Sequence, residues 1–176
     1  MILIILFLIT TNLNALEFEW NDSYENYKGK IEHYLSKRFI TTNPKKYQGR
    51  LYHKALTFVP IILEVCSQAD VNPILVSSII SYESNWELKA IDKTEKAKGL
   101  LQVQFYEVDL NDPKDQIETG VQMLKNAFIK CGSINGALSY YATGQSCNGH
   151  KKGALRRINL AKHIEAIKLE KLNENL

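Results

Sequence analysis

One apolar run that ends in an acid constrains this chain more than any other feature. Ile74-Leu75-Val76-Ser77-Ser78-Ile79-Ile80 leads into Ser81-Tyr82-Glu83-Ser84. The run is entered through Asn72-Pro73. Both residues suit a helix start: an Asn side chain accepts from the first free N–H groups, and Pro has no N–H to leave unpaired. A helix that is apolar nearly all round must be wrapped by other elements, so the sequence predicts a buried helix. Glu83 then stands at its C-terminal end. Burial and the negative end of the helix dipole both oppose a negative charge there. A carboxyl in such a place suits general acid work, which needs a proton held and then given up. On this segment alone, an ordinary half-exposed helix-end glutamate is an equal reading.

The rest of the chain reads as further helices. Tyr24, Tyr27, Ile31, Tyr34 and Leu35 recur at helical spacing. Within 52–69 the apolar positions are Leu56, Val59, Leu63 and Cys66, with Pro60 either starting the helix or kinking it. Thr41-Thr42-Asn43-Pro44 reads as a loop, and 87–98 is charged and turn-like. Asp112-Pro113 signals a new helix with Ile117, Val121, Leu124 and Phe128 on one face and Gly132 as its stop. Ser133 caps the next, whose inner face carries Ile134, Ala137, Leu138 and Tyr141. A loop over 144–153 and a final helix over 154–171 complete the pass. No alternating strand pattern of any length occurs; there is room for one short hairpin around 97–107. The expected fold class is mainly α, a single helical domain with at most that hairpin.

Length and charge narrow the function classes. A chain of 176 residues holds one domain with a real core and not comfortably two. A net charge of +3 without a basic stripe argues against nucleic acid as a partner. Residues 1–15 combine an unbroken apolar run with a small residue, Ala15, before a cleavage point. They read as a secretory signal peptide, too short to span a bilayer comfortably and without the usual basic residues, with a buried N-terminal segment as the alternative. The expected organisation is therefore signal peptide 1–15, a tyrosine-rich helical extension 16–50, a catalytic domain 51–171 and a tail 172–176. Export would permit a disulfide. Cys131 and Cys147, which bracket the Tyr141 segment, are the favoured pair, with Cys66 a buried thiol; three free structural cysteines are the alternative. The four histidines are scattered without metal-ligand spacing, so no metal and no cofactor is expected. No motif supports a Cys-His peptidase.

The motifs downstream of Glu83 say more. Glu83-Ser84, then Gly99-Leu100-Leu101-Gln102, then Ala137-Leu138-Ser139-Tyr140-Tyr141-Ala142-Thr143-Gly144 follow in order. Together with the helix entry Ala69–Leu75, this series resembles the soluble-type lytic transglycosylases over roughly residues 55–165. That resemblance implies a goose-type lysozyme-like fold and cleavage of peptidoglycan glycan strands in the periplasm or cell envelope of a bacterium. It implies Glu83 as the catalytic acid and base, with Tyr141 donating a hydrogen bond to it. It implies Gln102 as a sugar-binding amide, Gly99 as a point of close backbone approach, Leu101 as a wall of the cleft and Ser84 as a brace of the helix end. Trp86 is left between a sugar platform and a core residue.

Departures from the family pattern keep other readings open. Ala142 replaces a common Asn, and Asp92-Lys93-Thr94-Glu95-Lys96-Ala97 replaces the usual loop before Gly99. A hydrolytic muramidase using Asp92 or Glu95 to hold water is one rival. An inactive wall-binding or assembly protein is another. The short single domain and the polar 145–150 segment resemble the specialised members that serve secretion, pilus or conjugation machinery.

Overall fold

The computed structural model of the protein describes residues 18–41, 46–104, 107–149 and 151–169. The expected signal peptide, the tail and the Asn43-Pro44 loop lie outside the described residues. The elements run α1 (Tyr24–Ser36), a π-helical turn (Lys37–Thr41), α2 (Lys46–Ala69), α3 (Pro73–Glu83), β1 (Ala97–Lys98), β2 (Val103–Gln104), α4 (Pro113–Cys131), α5 (Ile134–Thr143) and α6 (Lys151–Glu165). The two strands pair antiparallel, Ala97 opposite Gln104 and Lys98 opposite Val103. The protein is thus the mainly helical, lysozyme-like body expected, with one small ribbon.

Helix α3 is buried along almost its whole length. Asn72 caps it by accepting from the backbone N–H groups of Ile74 at 2.9 Å and Leu75 at 3.4 Å, with Pro73 at the first turn. Every residue from Pro73 to Ser81 is buried. Ile74, Leu75, Ile79 and Ile80 are wholly enclosed, and such side chains each contribute about 1.5–3 kcal/mol by leaving water. A buried hydroxyl on this helix finds its partner locally, Ser78 Oγ donating to Leu75 O at 2.7 Å.

Helices α1, α2 and α6 pack against α3, while α4 packs on α2 and α5. Helix α1 turns Tyr27, Ile31, Tyr34 and Leu35 into the same core. Phe18 stacks on Phe128 of α4 with ring centroids 3.8 Å apart. Helix α2 begins earlier than its periodicity predicts and carries Pro60 inside it at an exposed position, where the ring takes the place of the N–H that would bond the Leu56 carbonyl. Helices α4 and α5 start on Asp112 and Ser133 and stop on Gly132 and Gly144, both left-handed. Helix α6 begins at Lys151, ahead of the predicted 154, and ends at Glu165. Its buried stripe is Ala154, Arg157, Ile158, Ala161 and Ile164, and it packs on α3 and α5. Lys30 of α1 reaches Glu165 at the end of α6, 2.8 Å away.

Candidate active site

Glu83 is the last residue of α3, and the chain breaks sharply after it. Asn85 and Trp86 both take left-handed backbone, φ 52° and 68°, a conformation that costs non-glycine residues energy and persists only where surroundings enforce it. The enforcement is visible. Trp86 is wholly buried and donates from its indole N–H to Ser81 Oγ at 2.7 Å. Of its two sequence readings, the core one is correct. Arg38 donates to Asn85 Oδ1 from Nε at 3.3 Å and from Nη2 at 2.7 Å. Ser84 caps the helix end, its Oγ donating to Ile80 O at 3.1 Å.

The Glu83 side chain is mostly enclosed, 18% exposed, and it meets a cation. Arg157 of α6 donates to Glu83 Oε1 from Nε at 3.0 Å and again from Nη2. Arg157 is itself only 3% exposed. Its guanidinium carbon lies 4.3 Å from the centroid of the Tyr82 ring, a cation–π contact. The acid is therefore not alone at an apolar helix end, as the run before it suggested; an ion pair occupies that place. No motif led to Arg157. Its one sequence signal was a cation at position i+3 of the apolar stripe that starts at Ala154.

Tyr141 joins this group with a different partner from the one the resemblance implies. Its hydroxyl donates to Leu101 O at 2.7 Å and not to Glu83. Burial holds the Tyr141 proton well above the usual tyrosine range; the nearby Glu83 charge adds to this and the Arg157 charge opposes it. Tyr141 thus stands in the field of both charged groups while its hydrogen bond ties α5 to the loop after β1.

That loop is built from the second motif. Gly99 has φ 78°, and a Cβ there would lie 2.4 Å from Gln116 Oε1. The same oxygen accepts from Leu100 N at 2.8 Å, so only glycine leaves it room. Leu101 does not wall a cleft. Its side chain is wholly buried against Gly120 of α4, where a Cβ would come within 2.7 Å of it. The absence of a side chain at 120 is what draws Leu101 inward. Gln102 donates through Nε2 to Gly99 O at 2.9 Å and Ala90 O at 3.1 Å, which turns its amide to bracing the loop.

The rival carboxylates are placed otherwise. Asp92 Oδ1 accepts from Lys96 N at 2.8 Å and Ala97 N at 3.1 Å, and Oδ2 from Thr94 Oγ1 at 2.6 Å. The Thr94 hydroxyl first, and then the backbone N–H groups, hold its carboxyl below the usual range. Asp92 organises its own exposed loop. Glu95 is exposed at the tip of that loop. Farther off, Cys131 and Cys147 form a disulfide, and Cys66 is a buried thiol that burial pushes far up. A cavity of about 400 Å³ beside the disulfide, lined by Cys131, Ser133, Asn135, Gly136, Cys147, Asn148 and Leu155, contains no titratable group and cannot supply an acid.

The family model described as the transglycosylase SLT domain matches residues 61–163, more than half of the chain. The chain belongs to this family. The matched segment of the SLT domain runs from within α2 to near the end of α6 and contains Glu83, Gln102, Tyr141 and Arg157. Membership brings with it a glycan-cleaving function of the lytic transglycosylase type, with peptidoglycan as substrate. In the same comparisons no curated protein and no solved structure matches the chain.

Proposed function

We propose that the protein is an exported lytic transglycosylase that cleaves the β-1,4 bond between N-acetylmuramic acid and N-acetylglucosamine, with Glu83 as its one acid and base. The supporting observation is the seat of Glu83: a mostly enclosed carboxyl at the end of a buried helix, facing a buried arginine. Protonated Glu83 gives its proton to the glycosidic oxygen as the bond to the muramic C1 breaks. The acetamido oxygen of the same sugar shields the positive charge that develops at C1, a substrate-assisted course that needs no second carboxylate. Glu83, now ionised, takes the proton of the muramic 6-hydroxyl as that oxygen bonds to C1. The products are a 1,6-anhydro-muramic end and a free 4-hydroxyl, and Glu83 is protonated again.

The commitment of Asp92 to its own loop favours this course over a hydrolytic muramidase, since its lone pairs already accept three hydrogen bonds. Wall opening for an envelope-spanning secretion, pilus or conjugation machine is the setting we assign, on the resemblance of the polar segment after Gly144 to the specialised members. The test is mass spectrometry of soluble fragments released from purified peptidoglycan, with Glu83→Gln alongside. Anhydro-muropeptides from the wild type and none from the variant are expected. Reducing-end fragments would establish the muramidase, and saturable binding without fragments the wall-binding protein.

A further inference from the structure

Arg157 belongs to none of the motifs, yet it grips the carboxyl on which the proposed reaction turns. Nε and Nη2 both donate to the same oxygen, Oε1. Among the described residues nothing donates to Oε2. Nη1 of Arg157 is buried, and among the described residues it has no hydrogen-bond partner. An arginine retained for stability alone would span both carboxylate oxygens with its fork and satisfy its remaining donors. A buried donor without a partner instead costs about 1–3 kcal/mol. The arrangement thus gives up stability to hold one oxygen and leave the other open.

We propose that Arg157 is a positioning residue for Glu83: it fixes Oε1 so that Oε2 gives up and takes back the proton, and it stabilises the carboxylate present between the two halves of the reaction. The inference rests on the function proposed above. It also accounts for Tyr141, whose hydroxyl is spent on Leu101 O and is not available to orient the acid. The Tyr82 ring makes a cation–π contact with the Arg157 guanidinium. The charged and titratable groups around Glu83 are Arg157 from α6, Tyr141 from α5 and Tyr82 beside it on α3. Arg156 lies 3.5 Å from the Tyr82 hydroxyl, and Arg38 reaches in from the π-helical turn to Ser81 O at 3.5 Å.

The experiment follows initial rates of fragment release from purified peptidoglycan between about pH 4 and about pH 9. It compares wild type, Arg157→Gln, Arg157→Lys and Tyr82→Leu, with circular dichroism to score folding. Loss of the cation in Arg157→Gln favours the protonated acid, so the alkaline limb of the profile moves to higher pH. Below the limb the acid is protonated in both proteins, and the loss of orientation remains as a roughly 10- to 100-fold lower kcat with little change in KM. Arg157→Lys restores the wild-type limb while its kcat stays reduced, because one ammonium cannot reproduce two aligned donors. Tyr82 is 40% exposed, so Tyr82→Leu keeps the fold and moves limb and kcat the same way by a smaller amount, even if Arg157→Gln does not fold. Wild-type limb and kcat in Tyr82→Leu, and in whichever Arg157 variants fold, would overturn the inference. So would a lower rate that merely tracks the loss of folded protein with the limb unmoved. A wild type that releases no anhydro-muropeptides would instead defeat the function itself, and this role with it.

Discussion

Replacing Tyr141 by Phe separates the two roles open to this residue. The hydroxyl donates to the Leu101 carbonyl at 2.7 Å, and Leu101 is wholly buried. In Tyr141→Phe that enclosed carbonyl loses its donor. An orphaned buried acceptor costs about 1–3 kcal/mol, which lowers the melting temperature of a chain of this size by about 2–12 °C. Urea unfolding followed by fluorescence reads the change directly, because Trp86 is buried in the native core. The effect on catalysis is indirect. Leu101 precedes Gln102 in a loop held by a few hydrogen bonds, so glycan cleavage slows by less than about tenfold as that loop loosens. An unchanged unfolding midpoint with an abolished rate would refute the reasoning: the hydroxyl would then act on Glu83 and not on Leu101.

Other substitutions and conditions test other parts of the structure. Glu83→Gln keeps the shape of the side chain but leaves the Arg157 charge buried without its counterion. The variant folds with stability lower by about 1–3 kcal/mol, and adding Arg157→Met recovers most of that loss in urea titrations. Reducing the Cys131–Cys147 disulfide, which joins residues 16 apart, lowers unfolding stability by about 3 kcal/mol; a thermal melt with and without reductant measures it. Burial first, with the Glu165 and Asp22 charges beyond the backbone contact, pushes the Tyr27 hydroxyl up to about 12. A group raised in the folded state leaves stability intact below its unfolded value and erodes it as pH rises through the folded one. Stability therefore falls between about pH 10 and about pH 12, and less steeply in Tyr27→Phe, as melting temperatures across that window will show.

What the sequence made legible was local. Asn72-Pro73, Asp112-Pro113, Ser133, Gly132 and Gly144 punctuate the helices because caps depend on residues within one turn of themselves. The acid was legible because a carboxylate after seven nearly unbroken apolar positions conflicts with burial. The missing parts all depend on contacts between distant segments. Arg157 lies 74 residues from Glu83, and nothing within its own helix says which carboxylate it meets. Tyr141 has the expected place and an unexpected acceptor, since its bond depends on where the Leu101 carbonyl points. The motif points Leu101 to a wall of the cleft, but the missing side chain at Gly120, on another helix, gives it room in the core. Trp86 was ambiguous because an aromatic ring serves a sugar or a core equally well until the backbone turn aims it.

The contact between α1 and α6 bears on how small this machine can be made. Lys30 ties the first helix to Glu165, two turns beyond Arg157 on the same helix, while Tyr27, Ile31 and Leu35 close over the body formed by α2 and α3. A fragment trimmed to the family-matched residues would lose α1, more than half of α2 and the last two residues of α6, Glu165 included. The boundary of recognisable ancestry and the boundary of a self-supporting unit do not coincide in this chain. A fragment that lacks α1 is therefore expected to hold Glu83 against its arginine less firmly than the longer chain.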